Sequence, residues 1–106
     1  MYQNQRESNR VAVNMPIQLS FGTQIILQGQ LKDLSLKSAF VLVKSSICMS
    51  ANDELNFALE ISKEHPKGAV HGTAIISRVN VGEGIAIYFT KMDESSTARL
   101  QEMIGG

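Results

Sequence analysis

The chain has 106 residues, 43% hydrophobic and 19% charged, the balance of an ordinary globular protein with apolar surface for one core and not for two. Ten Lys and Arg against ten Asp and Glu give zero net charge, which argues against a binder of polymeric nucleic acid and leaves any nucleotide site resting on a few placed arginines. A single cysteine, Cys48, excludes an internal disulfide; no apolar run approaches the roughly 20 residues of a membrane helix, and Met1 to Arg10 holds no signal core, so the expected location is the cytoplasm.

From Val11 to Phe21 the residues Val11, Val13, Met15, Ile17, Leu19 and Phe21 fall on every second position, which predicts a strand with one buried face. Pro16 has the other parity and suggests an edge or a bulge. After Gly22, residues Ile25, Leu27 and Leu31 continue the alternation, with Gly29 where a bend or close backbone approach fits. The two segments form a hairpin, and apolar residues that face each other must share a face. Odd positions therefore pair with odd ones around a three-residue loop, Gly22 to Gln24. That register sets Phe21 opposite Ile25, Met15 opposite Leu31 and Val11 opposite Ser35, with a bulge able to shift the last pair by one residue. It brings Arg10 beside the segment Asp33 to Leu36.

Ala39 to Val43 is a continuous apolar run suited to a strand covered on both sides, and Glu54 to Ile61 alternates again. A polar loop with Pro66 leads to a strand from about Ala69 to Val79, a turn over Asn80 to Gly84, and a strand carrying Ile85, Ile87 and Phe89. Six short strands at near-regular spacing predict an all-β barrel or sandwich. At the end, Asp93 is an N-cap candidate, Thr97, Leu100, Met103 and Ile104 share a helical face, and Gly105 and Gly106 stop the pattern. Such a short helix needs tertiary contact, for which a barrel mouth is the expected place.

Arg6 and Arg10 stand four apart just before the first strand. An arginine fork bonds bidentately to phosphate or to the O6 and N7 edge of guanine, so two of them on an arm can clamp an anionic guanine nucleotide; taken alone, they are equally two solvated charges near a terminus. Asp33 can accept from guanine N1 and N2, and Ser35 can bond phosphate or base, although Asp and Ser also commonly make turns by bonding nearby backbone. The hairpin register joins the two segments at one end of one barrel.

With these residues in place the chain resembles the PilZ domain family, which pairs an N-terminal RxxxR with a downstream (D/N)xSxxG. Arg6 and Arg10 match the first motif, Asp33 and Ser35 the second, and the following strands and closing helix extend the resemblance over nearly the whole chain. It implies a six-stranded antiparallel barrel with a short C-terminal α-helix, one domain over 1–106, and cyclic di-GMP bound on the outside of the barrel by Arg6, Arg10, Asp33, Ser35 and Ser38. It also implies an arm, 1–10, that is mobile until ligand ties it down, and a signal passed to an effector protein controlling motility, adhesion or exopolysaccharide synthesis. Ser38 stands where the family pattern has glycine; the added Cβ is expected to strain the backbone or narrow the site and so to weaken binding. Gln5 lacks the charge that favours a stacked ligand dimer in some members, which leaves the stoichiometry open.

Other functions find less in the sequence. His65 and His71 have no metal-ligand spacing, Cys48 and its neighbouring serines have no visible base, and no nucleophile elbow or phosphate loop is present, so the chain is not expected to be an enzyme. A barrel for single-stranded nucleic acid would need aromatic platforms, and there is no tryptophan and few exposed aromatic candidates. The alternative that Ser38 favours is a PilZ-like interaction module that has lost the nucleotide.

Overall fold

Alternation of apolar residues closes the chain on itself in the computed structural model, which describes residues 10–22, 25–43, 49–59 and 70–104. The strands are β1 (Val11–Phe21), β2 (Ile25–Leu34), β3 (Ser38–Leu42), β4 (Glu54–Leu59), β5 (Val70–Asn80) and β6 (Gly84–Met92), followed by helix α1 (Glu94–Ile104). All neighbours pair antiparallel, in the closed order β1-β2-β3-β6-β5-β4. Closure leaves the sheet of described strands without a free edge. The inward face carries Ile17, Leu19, Leu31, Leu55, Phe57, Ile76, Ile85 and Ile87, all at most 2% exposed. Burying each such side chain is worth about 1.5 to 3 kcal/mol, which is what holds the barrel shut.

The first hairpin follows the expected register at its turn, with Phe21 opposite Ile25 and Met15 opposite Leu31. Gly22 adopts φ +66°, a left-handed turn conformation open to glycine at no steric cost. Nearer the open end the register shifts: between Met15 and Ala12 three steps of β1 match two of β2, so Val11 faces Leu34 and not Ser35. The same stretch of β2 shifts against β3, where Leu31 pairs with Val41 but Asp33 pairs with Phe40. Against β1 the extra residue lies in β1, between Ala12 and Met15, whereas against β3 it is Lys32, a bulge in β2. The bulge in β2 breaks the alternation, so that Leu31 and Leu34 are both fully buried while Lys32 and Asp33 lie on the outer face. Strict alternation would have turned Asp33 inward with Leu31.

A further bulge does the same to β5. Ile76 pairs with Ile87 but Arg78 with Ala86, and Ser77 and Arg78 are both exposed between the inward Ile76 and the half-buried Val79. Strand β4 ends at Leu59, and the expected extension to Ile61 and the loop with His65 and Pro66 lie outside the described residues, as do Arg6, Cys48, Gly105 and Gly106.

Helix α1 begins as its sequence requires. The Asp93 carboxylate accepts from the Ser96 backbone N–H at 2.7 Å, and the Asp93 carbonyl accepts from the Thr97 N–H at 3.0 Å. The helix is fastened to β5 through Ser96, 1% exposed, whose Oγ accepts from the His71 N–H at 3.1 Å, and Leu100 joins the barrel core. Among the described residues no helix is long and apolar enough to cross a membrane.

Candidate functional site

The bulges at Lys32 of β2 and Ser77 of β5 aim polar residues onto one stretch of outer surface. Asp33 of β2, Phe40 of β3, Ala86 of β6 and Arg78 of β5 are successive cross-strand partners and form one row across four strands. Three strand spacings separate its ends, roughly 14 Å along the sheet. Ser38 and Tyr88 pair in the neighbouring row. Together with Arg10 these residues line an open groove of about 630 Å³, with Asp33 and Arg10 at one wall, Arg78 at the other, the small Ala86 between them, and Lys32 and Glu83 also in the lining. Tyr88 is 47% exposed and presents an open ring, whereas Phe40 is 7% exposed, with the Lys32 Nζ lying 5.9 Å from its ring centre.

Arg10 sits at the entrance of β1. Its Nε donates to Asp33 Oδ1 at 2.8 Å and its Nη1 donates to Ser38 Oγ at 2.9 Å. The two side chains of the ion pair are 38% and 29% exposed, so solvent screens it and its contribution to stability is about 0 to 1 kcal/mol. Its effect is positional. A guanidinium has five N–H donors; two are engaged, which leaves three for an external acceptor. Asp33 likewise keeps Oδ2 outside the ion pair.

Ser35 plays a different part. It is 2% exposed, and its Oγ accepts from the backbone N–H groups of Ser38 at 3.1 Å and Lys37 at 3.3 Å, while its own N–H donates to the Ser38 carbonyl at 2.8 Å. Ser35 therefore builds the β2–β3 turn from below, in the manner that serine commonly does at turns. The turn is tied to β6 by the Phe89 N–H donating to the Lys37 carbonyl at 2.8 Å.

Ser38 shows no left-handed backbone: among the described non-glycine residues only Asn52 has positive φ. The strain expected of a serine at this position is thus absent from this conformation. Its hydroxyl instead bridges Arg10 and Ser35, whose Oγ is 3.3 Å away.

Of the five expected site residues, Arg10, Asp33 and Ser38 meet in one cluster, Ser35 supports it from beneath, and Arg6 lies outside the described residues. Arg78 and Tyr88 were not anticipated. The signal for Arg78 was available, since apolar Ile76 and Val79 have opposite parity and can both face inward only across a bulge.

A larger groove of about 730 Å³ lies beside the first, lined by Leu27, Gly29, Leu42 and Val43, with Glu83 the one charged residue among the described residues that line it. Its described lining thus offers an anionic ligand no cation, unlike that of the first. His71 lies away from both, with Nε2 3.7 Å from Asp93 Oδ2.

Comparison with known proteins agrees with this architecture. The family model described as PilZ domain matches residues 4–106. No curated protein matches significantly in sequence. Among solved structures, the inhibitor of motility of Bacillus subtilis (MotI/DgrA) superposes with a TM-score of 0.78 at 9% identity, covering 90% of this chain and 47% of that one. The chain thus spans about half the length of that protein. The PilZ domain of YcgR from Escherichia coli, in a structure with c-di-GMP, gives 0.74 at 14% identity over 90% and 85%. The PilZ domain of CeSA from a cellulose-synthesizing bacterium gives 0.68 at 20% identity over 90% and 93%. At these identities the likeness is one of fold.

Proposed function

The chain belongs to the PilZ domain family, and from that membership we propose that it is a receptor for cyclic di-GMP which holds the nucleotide in the groove between Arg10 and Arg78 and signals to a partner protein. PilZ domains are typically non-catalytic receptors. The observation that carries the proposal is the seating of Arg10 against Asp33 and Ser38 at the edge of that groove.

In this mechanism the free N–H groups of Arg10 bond a phosphate or the O6 and N7 edge of a guanine. Asp33 Oδ2 accepts from guanine N1 and N2, a pair of donors that adenine lacks. Tyr88 supplies a ring for stacking, and Arg78 reaches the nucleotide from the opposite wall. Arg6 provides the second fork, so that binding fixes the segment 1–10 against the barrel. Fixing that segment costs entropy, lowers affinity, and changes the surface a partner meets. Partner classes follow the relatives, of which one is an inhibitor of motility and another comes from a cellulose-synthesizing bacterium.

The groove assignment is tested by following backbone amide resonances during titration with cyclic di-GMP. Shifts concentrated at Asp33, Ser38, Arg78 and Tyr88 support it. Shifts concentrated at Leu27, Leu42 and Gly82 would move the ligand to the larger groove and overturn it.

A further inference from the structure

We infer that Ser38 is a positioning residue for Arg10: its hydroxyl and the Asp33 carboxylate form a clasp that fixes the guanidinium before any ligand arrives. The inference rests on the nucleotide-binding proposal above for its consequence, though not for its geometry. Ser38 occupies the last position of the (D/N)xSxxG pattern, and glycine there would offer Arg10 no side-chain acceptor. Here the acceptor is present and in use, at 2.9 Å from Nη1, while Nε is held at 2.8 Å by Asp33.

Two contacts on different nitrogens restrict the guanidinium in a way that one cannot. With Nε alone engaged, the planar group still turns about the Nε–Cζ bond; with Nη1 also engaged, that rotation requires a hydrogen bond to break. Ser38 is itself held in place. It lies in β3, paired with Tyr88 of β6, and its Oγ is 3.3 Å from the buried Ser35 Oγ, whose position the turn fixes. Because Ser38 accepts from Arg10, its own hydroxyl proton is available to Ser35 or to a ligand oxygen.

The clasp does not compete with the nucleotide. Three of the five guanidinium donors stay outside it, including both on Nη2, so an anion can be bound with both internal contacts intact. The entropy of ordering a long side chain is then lost on folding and not on binding. Serine here strengthens the site, contrary to the weakening expected from its departure from glycine.

The test uses the full chain, unlabelled for calorimetry and nitrogen-15 labelled for guanidinium spectra. The rate of rotation about the Arg10 Nε–Cζ bond in the ligand-free protein is measured alongside the Kd for cyclic di-GMP, in wild type, Ser38→Ala, Ser38→Gly and Ser38→Thr. Rotation is expected to be slow in wild type and Ser38→Thr and faster in Ser38→Ala and Ser38→Gly. Binding is expected to weaken about threefold to tenfold in the last two, the range for one immobilised side chain, and to be retained in Ser38→Thr, whose β-branch suits a strand. Equal rotation rates in wild type and Ser38→Ala overturn the clasp whatever the binding result. Tighter binding by Ser38→Ala and Ser38→Gly overturns it as well, because the hydroxyl would then be a competitor. If wild type shows no binding, the nucleotide proposal fails while the rotation rates still decide the clasp.

Discussion

Arg10 and Asp33 are 23 residues apart in the chain and 2.8 Å apart on the outer face of the barrel. Neither the ion pair nor its burial explains why they meet, since both side chains are partly solvated and such a pair contributes little to folding. The bulge at Lys32 does, by turning Asp33 outward to the face that Arg10 can reach. Two apolar residues, Leu31 and Leu34, secure that bulge because both are fully buried and neither can leave the core without a cost of a few kcal/mol.

Arg10→Ala is expected to weaken cyclic di-GMP binding by about 1.5 to 3 kcal/mol, the value of a hydrogen bond to a charged group. Arg10→Lys should recover only part of the loss, because an ammonium keeps the charge without the planar fork. Both variants should unfold within about 1 kcal/mol of wild type, since the exposed pair stabilises little. Calorimetry and urea denaturation measure the two effects separately, and wild-type affinity in Arg10→Ala would remove this residue from the site.

Arg78→Ala is expected to reduce affinity by about 0.5 to 2 kcal/mol, the range for a cation against an aromatic or base face. The comparison is Lys91→Ala, an exposed cation that lines a different part of the barrel beside His71 and Asp93. Equal losses in the two variants would mean that Arg78 acts only through the overall field, which salt would screen.

Gly84→Ala is expected to destabilise the barrel. A Cβ at Gly84 would overlap the Val41 carbonyl oxygen across the β3–β6 pair, and that oxygen belongs to backbone that cannot swing aside. The cost of overpacking, about 1 to 3 kcal/mol, exceeds the gain of about 0.4 to 1 kcal/mol from a stiffer unfolded chain. The urea midpoint should fall with the slope unchanged. An unchanged midpoint would show that β3 and β6 separate more easily than this register implies.

The capping carboxylate of Asp93 makes stability depend on acid. Its pKa lies below the usual value, chiefly because the Ser96 backbone N–H bonds to it, with the Ser96 side chain and the nearby His71 adding to the effect. A carboxyl whose folded-state pKa is depressed stabilises the fold above its unfolded pKa, near 4, and loses that contribution as pH falls through the lower folded value. Thermal melts of wild type and Asp93→Ala should therefore differ most near neutrality and converge below about pH 4. A constant difference across that range would mean that the cap acts without its charge.

Much of the barrel is legible in the sequence because half-buried strands write their burial as period two. Val11 to Phe21 and Glu54 to Leu59 show it directly, and Phe21 facing Ile25 follows from parity alone. The open end of the first hairpin does not follow, because one extra residue in a ladder shifts every later pair; Val11 opposite Leu34 is that shift. The meeting of Arg10 with Asp33 was legible from the hairpin register, and the contacts that surround the pair were not. Ser35 offered the same hydroxyl to a turn as to a ligand, and its burial beneath Ser38 and its turn contacts could not be read from the sequence. For Arg78 the parity of Ile76 and Val79 signals exposure, but no local pattern ties it to Arg10; the connection runs through cross-strand pairs with Ala86, Phe40 and Asp33.

The central proposal is most directly tested by calorimetric titration of the full chain with cyclic di-GMP and, in parallel, cyclic di-AMP. Guanine offers arginine an O6 acceptor and offers Asp33 the N1 and N2 donors, where adenine presents its N6 amino group to the arginine and no N1 or N2 hydrogen to the carboxylate. Saturable binding of cyclic di-GMP, at least about tenfold tighter than cyclic di-AMP or roughly 1.4 kcal/mol, is the predicted result. Equal affinity for the two, or no binding of cyclic di-GMP at high micromolar protein, would contradict it and leave the interaction module without nucleotide as the function of this domain.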